Sequence, residues 1–130
     1  GKVTLRSYGS MTYAGLLALI YAQVAAQDAR VQSAKDWASR HWSLDENPGM
    51  GQEGLYYFFN VLTKTLAAAG DETLTLPDGR VVVWREEVAR KLIALQKPEG
   101  FWVNENNRWW EADPNLVTAY TLLALSAARQ

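Results

Sequence analysis

The chain has 130 residues, the length of a single domain, and 48% of them are hydrophobic, which is enough to form a core. Its net charge of −1 comes without a basic run, so neither nucleic acid nor an anionic membrane is favoured as a partner, and no stretch has the roughly 18 uninterrupted apolar residues of a membrane span. No cysteine is present, which excludes disulfides, thiolate zinc sites and cysteine nucleophiles.

Two kinds of predicted helix alternate along the chain. Three segments are apolar on nearly every side and are predicted to be enclosed: Met11–Val24, Leu55–Ala69 and Leu116–Ala128. Two others carry a single apolar stripe and are predicted to lie outside them: Ala29–Trp42 and Arg85–Gln96. This order predicts an all-α fold, a ring or solenoid built from helical hairpins.

Capping residues mark where several of these helices begin and end. Ser10 and Asp28 are predicted N-caps of the first two helices. Gly70 is a predicted left-handed terminator of the third helix, and Asp113-Pro114 is predicted to open the last one.

A small β-hairpin is predicted between the third and fourth helices. The stretch Thr73–Trp84 has two β-prone arms around a Pro-Asp-Gly turn. The fold class is therefore all-α with one inserted hairpin.

An internal repeat supports a repeated two-helix unit. Met11–Ala22 aligns without gaps on Val117–Ala128, and a Thr, a Leu-Leu-Ala-Leu run and a final Ala coincide. Stacked units leave their outermost faces bare unless something caps them. Residues 1–130 are therefore expected to form one repeat domain, either a fragment of a longer ring or a protomer whose ends a second copy covers.

The segment Leu92–Trp102 contains a recognisable motif. Its Gln96, Gly100 and Trp102 match the Q-x3-G-x-W core of the repeat in squalene and oxidosqualene cyclases, and more loosely in protein prenyltransferase β-subunits. The stretch Asn47–Phe59 also resembles bacterial proteins with prenyltransferase/squalene-cyclase-type repeats, whose activities are mostly unassigned. The resemblance implies an α/α toroid, of which this chain would supply roughly half.

The motif also has a physical interpretation of its own, which is structural rather than catalytic. A Gln at the end of an outer helix is able to bond backbone groups left open at neighbouring helix ends, and Gly100 permits a turn closed to other residues. Trp102 is predicted to cover the junction as a large apolar plate.

The chemistry of the resembled families is mostly missing from this chain. The acid-initiated cyclases use an Asp-x-Asp-Asp motif, which does not occur here, and the single histidine, His41, cannot complete a zinc site. Gly49–Glu53 is superficially similar to a thioester motif but has Met50 in place of the cysteine. No metal or cofactor is predicted. Asp45 and Glu111 are candidate general acids that would need raised pKa values in a dry site to donate protons near neutral pH, whereas Asp113 is interpreted as a helix cap.

Polar and aromatic residues precede each enclosed helix and would gather at one end if those helices run parallel. The predicted ligand-binding rim consists of Tyr8, Glu46, Met50, Gln52, Arg108, Trp109 and Trp110. The competing interpretation is that the two tryptophans cover the end of the barrel and that Asn104–Asn107 is a solvated loop.

Three functional hypotheses follow. The first is a terpenoid-cyclase-like or prenyltransferase-like repeat domain that binds an apolar, isoprenoid-type ligand, with catalysis requiring residues outside this chain. The second is a non-catalytic scaffold or interaction module. The third is a carbohydrate-active toroid with Trp109 and Trp110 as a sugar platform and Glu105, Glu111 or Asp113 as acids.

Overall fold

A computed structural model describes residues 6–129. The helices and strands are α1 (Gly9–Tyr21), α2 (Ala29–Arg40), α3 (Leu55–Ala69), β1 (Thr73–Thr75), β2 (Val81–Val83), α4 (Trp84–Leu95) and α5 (Pro114–Arg129), with a short 3-10 turn at Arg108–Trp110. This mostly helical domain with a two-stranded hairpin confirms the coarse fold prediction. Within the described range, the helices are too short or too polar to cross a bilayer.

The helix α3 is the centre of the fold, with α1 on one side and α5 on the other. The start of α1 meets the start of α3, where the Gly9 N–H donates to the Pro48 carbonyl at 2.7 Å. At the opposite end, Ala67 of α3 and Ala127 of α5 line one hollow. The three helices therefore run in the same direction, while α2 packs on α1 and α4 packs on α5.

The prediction that three helices are enclosed is right for α3 and wrong for α1 and α5. Most residues of α3 are buried, including Phe58, Phe59 and Leu62. By contrast, α1 exposes 67% of Tyr21, and α5 exposes 59% of Leu123. The physical reason is that both helices bury one stripe against α3 and their outer helix, and nothing else in the described chain covers the opposite side.

The predicted N-cap of α1 is also wrong, and the correction shows how the helix is held. The N-cap is Tyr8, which contributes no side-chain bond, and Ser10 already lies inside the helix. The Ser10 N–H is instead satisfied by the side chain of Asn47, 37 residues away, at 2.9 Å. A side chain at Gly9 would not fit here, because a Cβ atom would lie 2.6 Å from the Pro48 ring.

The other terminal signals are confirmed. Asp28 accepts from the Arg30 N–H at 2.9 Å, and hydrogen bonds with Arg30 lower the pKa of its carboxyl group to about 2. Gly70 ends α3 with φ of +73°. Asp113 caps the first turn of α5 through the Asn115 N–H at 2.9 Å, and Pro114 is the first helical residue.

The predicted hairpin is confirmed, with Thr73 opposite Val83 and Thr75 opposite Val81. Its central Val82 and the first residue of α4, Trp84, are completely buried. The hairpin therefore covers the core beside α4 and lies apart from the end where the starts of α1 and α3 meet.

In the Q-x3-G-x-W motif, the glutamine does not bond a neighbouring helix end as predicted. Gln96 is exposed and donates to the Gly100 carbonyl at 3.1 Å, so it closes its own loop rather than a neighbouring helix end. It is Trp102 that serves the helix end, because its indole N–H donates to the Leu92 carbonyl of α4 at 2.8 Å. The Trp102 ring is buried, and Gly100 takes a φ of +94°.

Candidate ligand-binding cleft

A cleft of about 360 Å³ lies where the starts of α1 and α3 meet the loop before α5. Five aromatic side chains from these segments line it: Tyr8, Tyr57, Trp109, Trp110 and Tyr120. Met11 and Met50 add thioether side chains to the same wall. Ser10 and Asn47 are polar residues at its base. The cleft is thus an apolar, aromatic cup with a small polar floor.

The buried carboxylate of Glu111 holds the loop before α5 to the start of α3. Glu111 is completely buried, and its two oxygens accept from the backbone N–H groups of Tyr56 and Tyr57 at 2.9 Å each. The N-cap of α3 is Gly54, which has no side chain to offer. Glu111 therefore provides both the missing hydrogen-bond acceptors and a negative charge at the positive end of the helix dipole.

Asn104 completes the junction and corrects the interpretation of Asn104–Asn107 as a solvated loop. Its side chain is buried and donates to the Gln52 carbonyl at 2.7 Å and to the Glu111 carboxylate at 3.1 Å. Its backbone N–H bonds to the Glu111 carbonyl at 2.9 Å, which closes the loop on itself. The intervening residues are presented by a loop whose two ends are fixed in the interior.

Asn47 plays the matching part between α1 and α3. Its oxygen accepts the Ser10 N–H, and its amide group donates to the Ser10 hydroxyl at 3.2 Å and to the Glu53 carbonyl at 3.1 Å. Because Asn47 is buried and its side-chain amide and oxygen are already bonded, the floor of the cleft is satisfied within the protein itself.

Trp109 and Trp110 stand at the mouth of the cleft in a strained backbone conformation. Their φ values are +60° and +67°, in the left-handed region that costs a bulky residue about 1–2 kcal/mol. They are 59% and 82% exposed, so core packing does not explain the conformation. The loop that carries them is held at both ends by Asn104 and Glu111, and strain of this kind concentrates at binding sites.

The charged groups nearest the cleft lie behind its wall and at its mouth. Burial raises the pKa of Tyr120, and the negative charge of Glu111 raises it further. At the mouth, the Arg108 guanidinium carbon lies 5.0 Å from the centre of the Trp109 ring, and the guanidinium is 3.6 Å from the Glu53 carboxylate. The Tyr120 hydroxyl is therefore neutral at physiological pH.

The structure brings together part of the predicted rim. Tyr8, Met50, Trp109 and Trp110 line the cleft, and Arg108 stacks on one of these tryptophans from outside. Glu46 and Gln52 are exposed and do not line it, and the Gln52 amide donates to the Asp45 carbonyl at 2.7 Å.

The two candidate acids do not face the cleft. Asp45 belongs to a separate polar groove beside α4, where its carboxylate pairs with Lys91 at 2.6 Å. Both oxygens of Glu111 are engaged by backbone N–H groups. This geometry gives neither group access to a ligand in the cleft as a proton donor.

Sequence reasoning missed Tyr57 and Tyr120, whose rings meet across α3 and α5 at 6.0 Å. Both lie inside helices, and the feature of the sequence that could have identified them is their position within two turns of a predicted helix start. His41, in contrast, stacks on Trp37 at 4.2 Å on the outer helix α2. Among residues 6–129, no group of three or more His, Cys, Asp and Glu residues is placed to hold a metal ion.

The cleft thus offers apolar contact and aromatic faces, and the buried polar residues at its base, Ser10 and Asn47, are hydrogen-bonded to each other. Comparison with protein-family models, curated proteins and solved structures finds no match for this chain.

Proposed function

We propose that this chain is a repeat domain of the terpenoid-cyclase and prenyltransferase kind, forming about half of an α/α toroid, and that it binds an apolar, isoprenoid-type ligand. The toroid is supported by the parallel row of α1, α3 and α5 with α2 and α4 outside it. The ligand-binding role rests on one observation, the aromatic cleft at the aligned starts of these helices.

The size and lining of the cleft favour a ligand with an apolar body. Its volume of about 360 Å³ lies in the range of small-molecule pockets, roughly 300–1,000 Å³. Among the described residues, the side chains that line it include no charged group. An isoprenoid chain would gain burial against the aromatic rings without stripping water from a buried ion.

The proposal is one of binding, without a reaction. A proton-donating acid would have to face the ligand, and the carboxylates of Asp45 and Glu111 are engaged elsewhere. A parent enzyme would need its acid from a segment outside this chain.

Replacing Trp110 by alanine should abolish ligand binding while leaving the protein folded, because this side chain lines the cleft and is 82% exposed. The measurement is the shift in Tm with farnesol, farnesyl diphosphate and neutral or acidic oligosaccharides. We expect a dose-dependent rise with farnesol for the wild type and none for Trp110→Ala. Ile93→Ala, which removes another exposed apolar side chain, on α4, is the control and should retain the shift.

Other results of this screen would redirect the assignment. A shift with oligosaccharides alone would replace the isoprenoid proposal by the carbohydrate one. If none of the ligands shifts the Tm of the folded protein, the ligand-binding proposal is wrong and the interaction module becomes the favoured function.

The interaction module is the second candidate because α1 and α5 leave apolar flanks uncovered. Tyr21 is 67% exposed, and Leu122 and Leu123 are 56% and 59% exposed. The described helix α1 carries no charged residue, and α5 carries only Arg129. Apolar faces of this kind are typical of surfaces that contact other molecules.

Self-association would be the simplest use of these flanks and is measurable. Under the second candidate, light scattering should give a dimer at micromolar concentration that Leu122→Asp dissociates, since a charge on the flank opposes burial. Ile93→Asp, which places the same charge on another exposed position, should leave the dimer intact. A wild-type monomer that does not bind hydrophobic dyes would count against this candidate.

A further inference from the structure

We propose that the cleft recognises an alkylated ammonium cation, so that its ligand carries a quaternary or tertiary amine on an apolar body. This inference rests on the ligand-binding function proposed above and specifies the chemical class of the ligand. It is carried by the concentration of aromatic rings around an opening that no cationic side chain of the described chain lines.

The aromatic wall of the cleft is suited to binding a cation. Five rings line the cleft, two of them indoles, and an aromatic face presents negative charge to whatever stacks on it. Several such faces around one space are the usual means of binding quaternary ammonium groups, and tryptophan contributes most. An aliphatic ligand alone would be served equally well by leucine and isoleucine side chains, yet the large apolar side chains that line the cleft are aromatic or methionine.

A buried negative charge lies behind this wall. The Glu111 carboxylate bonds the N–H of Tyr57, a residue that lines the cleft, and is itself completely buried. Tyr57 in turn packs on Tyr120 with 6.0 Å between the ring centres, so the buried charge lies behind two adjacent rings of the wall. A cation in the cleft would be attracted by this charge without contacting it.

A cationic side chain, that of Arg108, is already present at the mouth of the cleft. The Arg108 guanidinium carbon lies 5.0 Å from the centre of the Trp109 ring, which is within the distance of a cation–π contact. The Glu53 carboxylate, 3.6 Å from the guanidinium, offsets the repulsion that Arg108 would exert on a second cation.

Small, strongly hydrated cations fit this cleft less well. A metal ion needs several oxygen ligands, usually carboxylates, to replace its water. Among the described residues no carboxylate lines the cleft, and Asn47 and Ser10 at its base each already accept one hydrogen bond from the other's N–H groups. Methylated ammonium groups are weakly hydrated, and their methyl groups would pack against Met11 and Met50.

Choline and 3,3-dimethylbutan-1-ol provide the test, because they have the same shape and differ only in the charge of the central atom. Titration calorimetry and tryptophan fluorescence should show choline binding about tenfold more tightly than the neutral alcohol. Equal binding of the two, or tighter binding of the alcohol, would overturn the proposal.

Variants at Trp110 separate the aromatic face from apolar burial. Trp110→Leu keeps an apolar side chain and removes the π-face, so it should reduce the tenfold preference severalfold, and Trp110→Phe should restore part of it. Ile93→Ala should keep the full preference. A preference that survives unchanged in Trp110→Leu would contradict the assignment of this ring.

Farnesol as a third probe distinguishes the two proposals. Binding of farnesol without any preference for choline would overturn only the cation inference and leave the apolar-ligand function standing. Failure of all three probes with the folded wild-type protein would overturn both.

Discussion

Replacing Glu111 by alanine should destabilise the protein by about 3–5 kcal/mol, because the buried N–H of Tyr56 and the partly buried N–H of Tyr57 would each lose their acceptor. An unsatisfied buried donor costs about 1–3 kcal/mol, and the Asn104 amide loses a partner in the same variant. Removal of the negative charge at the start of α3 adds to this loss. The measurement is the free energy of unfolding from urea denaturation.

Glu111→Gln tests whether charge or hydrogen-bond geometry dominates. The amide keeps the volume and one acceptor oxygen but points an N–H₂ group at a backbone donor. We expect a loss of about 1.5–3 kcal/mol, the range for a hydrogen bond to a charged group. Glu105→Ala, an exposed carboxylate in the same loop, should change stability by less than about 0.5 kcal/mol. If Glu111→Ala were as stable as this control, the buried carboxylate would not be holding the loop.

Features that depend on near neighbours in the sequence were predictable. The Asp28 cap bonds a residue two positions away, and the hairpin is closed by its own turn residues. Pro114 sits where its missing N–H costs nothing, which requires only the residues beside it. In each case the pattern and the partner lie within a few residues, so the sequence contains the whole interaction.

Contacts across the fold were not predictable in this way. Asn47 caps a helix 37 residues earlier, and Glu111 caps one 55 residues earlier. Ser10 carries a plausible local cap signal, but the close approach of Gly9 to Pro48 moves the helix start and replaces it. A capping signal in the sequence names a residue able to bond helix N–H groups, and it does not say which helix.

The candidate site was predictable only in the segments that precede the helices, which supply Tyr8, Met50, Trp109 and Trp110. Trp109 and Trp110 were expected near the helix starts because a loop rich in aromatic and polar residues precedes α5. Tyr57 and Tyr120 lie inside helices that are apolar on most sides, so the face that each presents depends on how α3 packs between its neighbours. For the same reason, the apolar composition of α1 and α5 did not show that one side of each stays uncovered.

Replacing Trp102 by alanine should also cost about 3–5 kcal/mol of stability, the range for removing a buried aromatic side chain. Its ring is 4% exposed and lies between α4 and α5. The indole N–H bonds the Leu92 carbonyl at 2.8 Å, and the Trp102 backbone N–H bonds the Thr118 hydroxyl at 3.2 Å. The substitution would therefore open a cavity and leave the Leu92 carbonyl without its partner, and urea denaturation measures both losses together.

Trp102→Phe helps to separate these two contributions, because it retains a six-membered aromatic ring and removes the indole N–H together with the five-membered ring that carries it. Its cost should be about 1–2 kcal/mol, that of one unsatisfied buried carbonyl with slight loss of packing. Trp110→Ala supplies a control of the same residue type, since a side chain 82% exposed contributes little packing and its loss should stay within about 0.5 kcal/mol. A Trp102→Ala protein as stable as this control would mean that the tryptophan of the Q-x3-G-x-W motif does not join α4 to α5. If Trp102→Ala loses much stability and Trp102→Phe loses little, the residue stabilises the contact between α4 and α5 mainly through the buried apolar area of its ring, and its N–H contributes less.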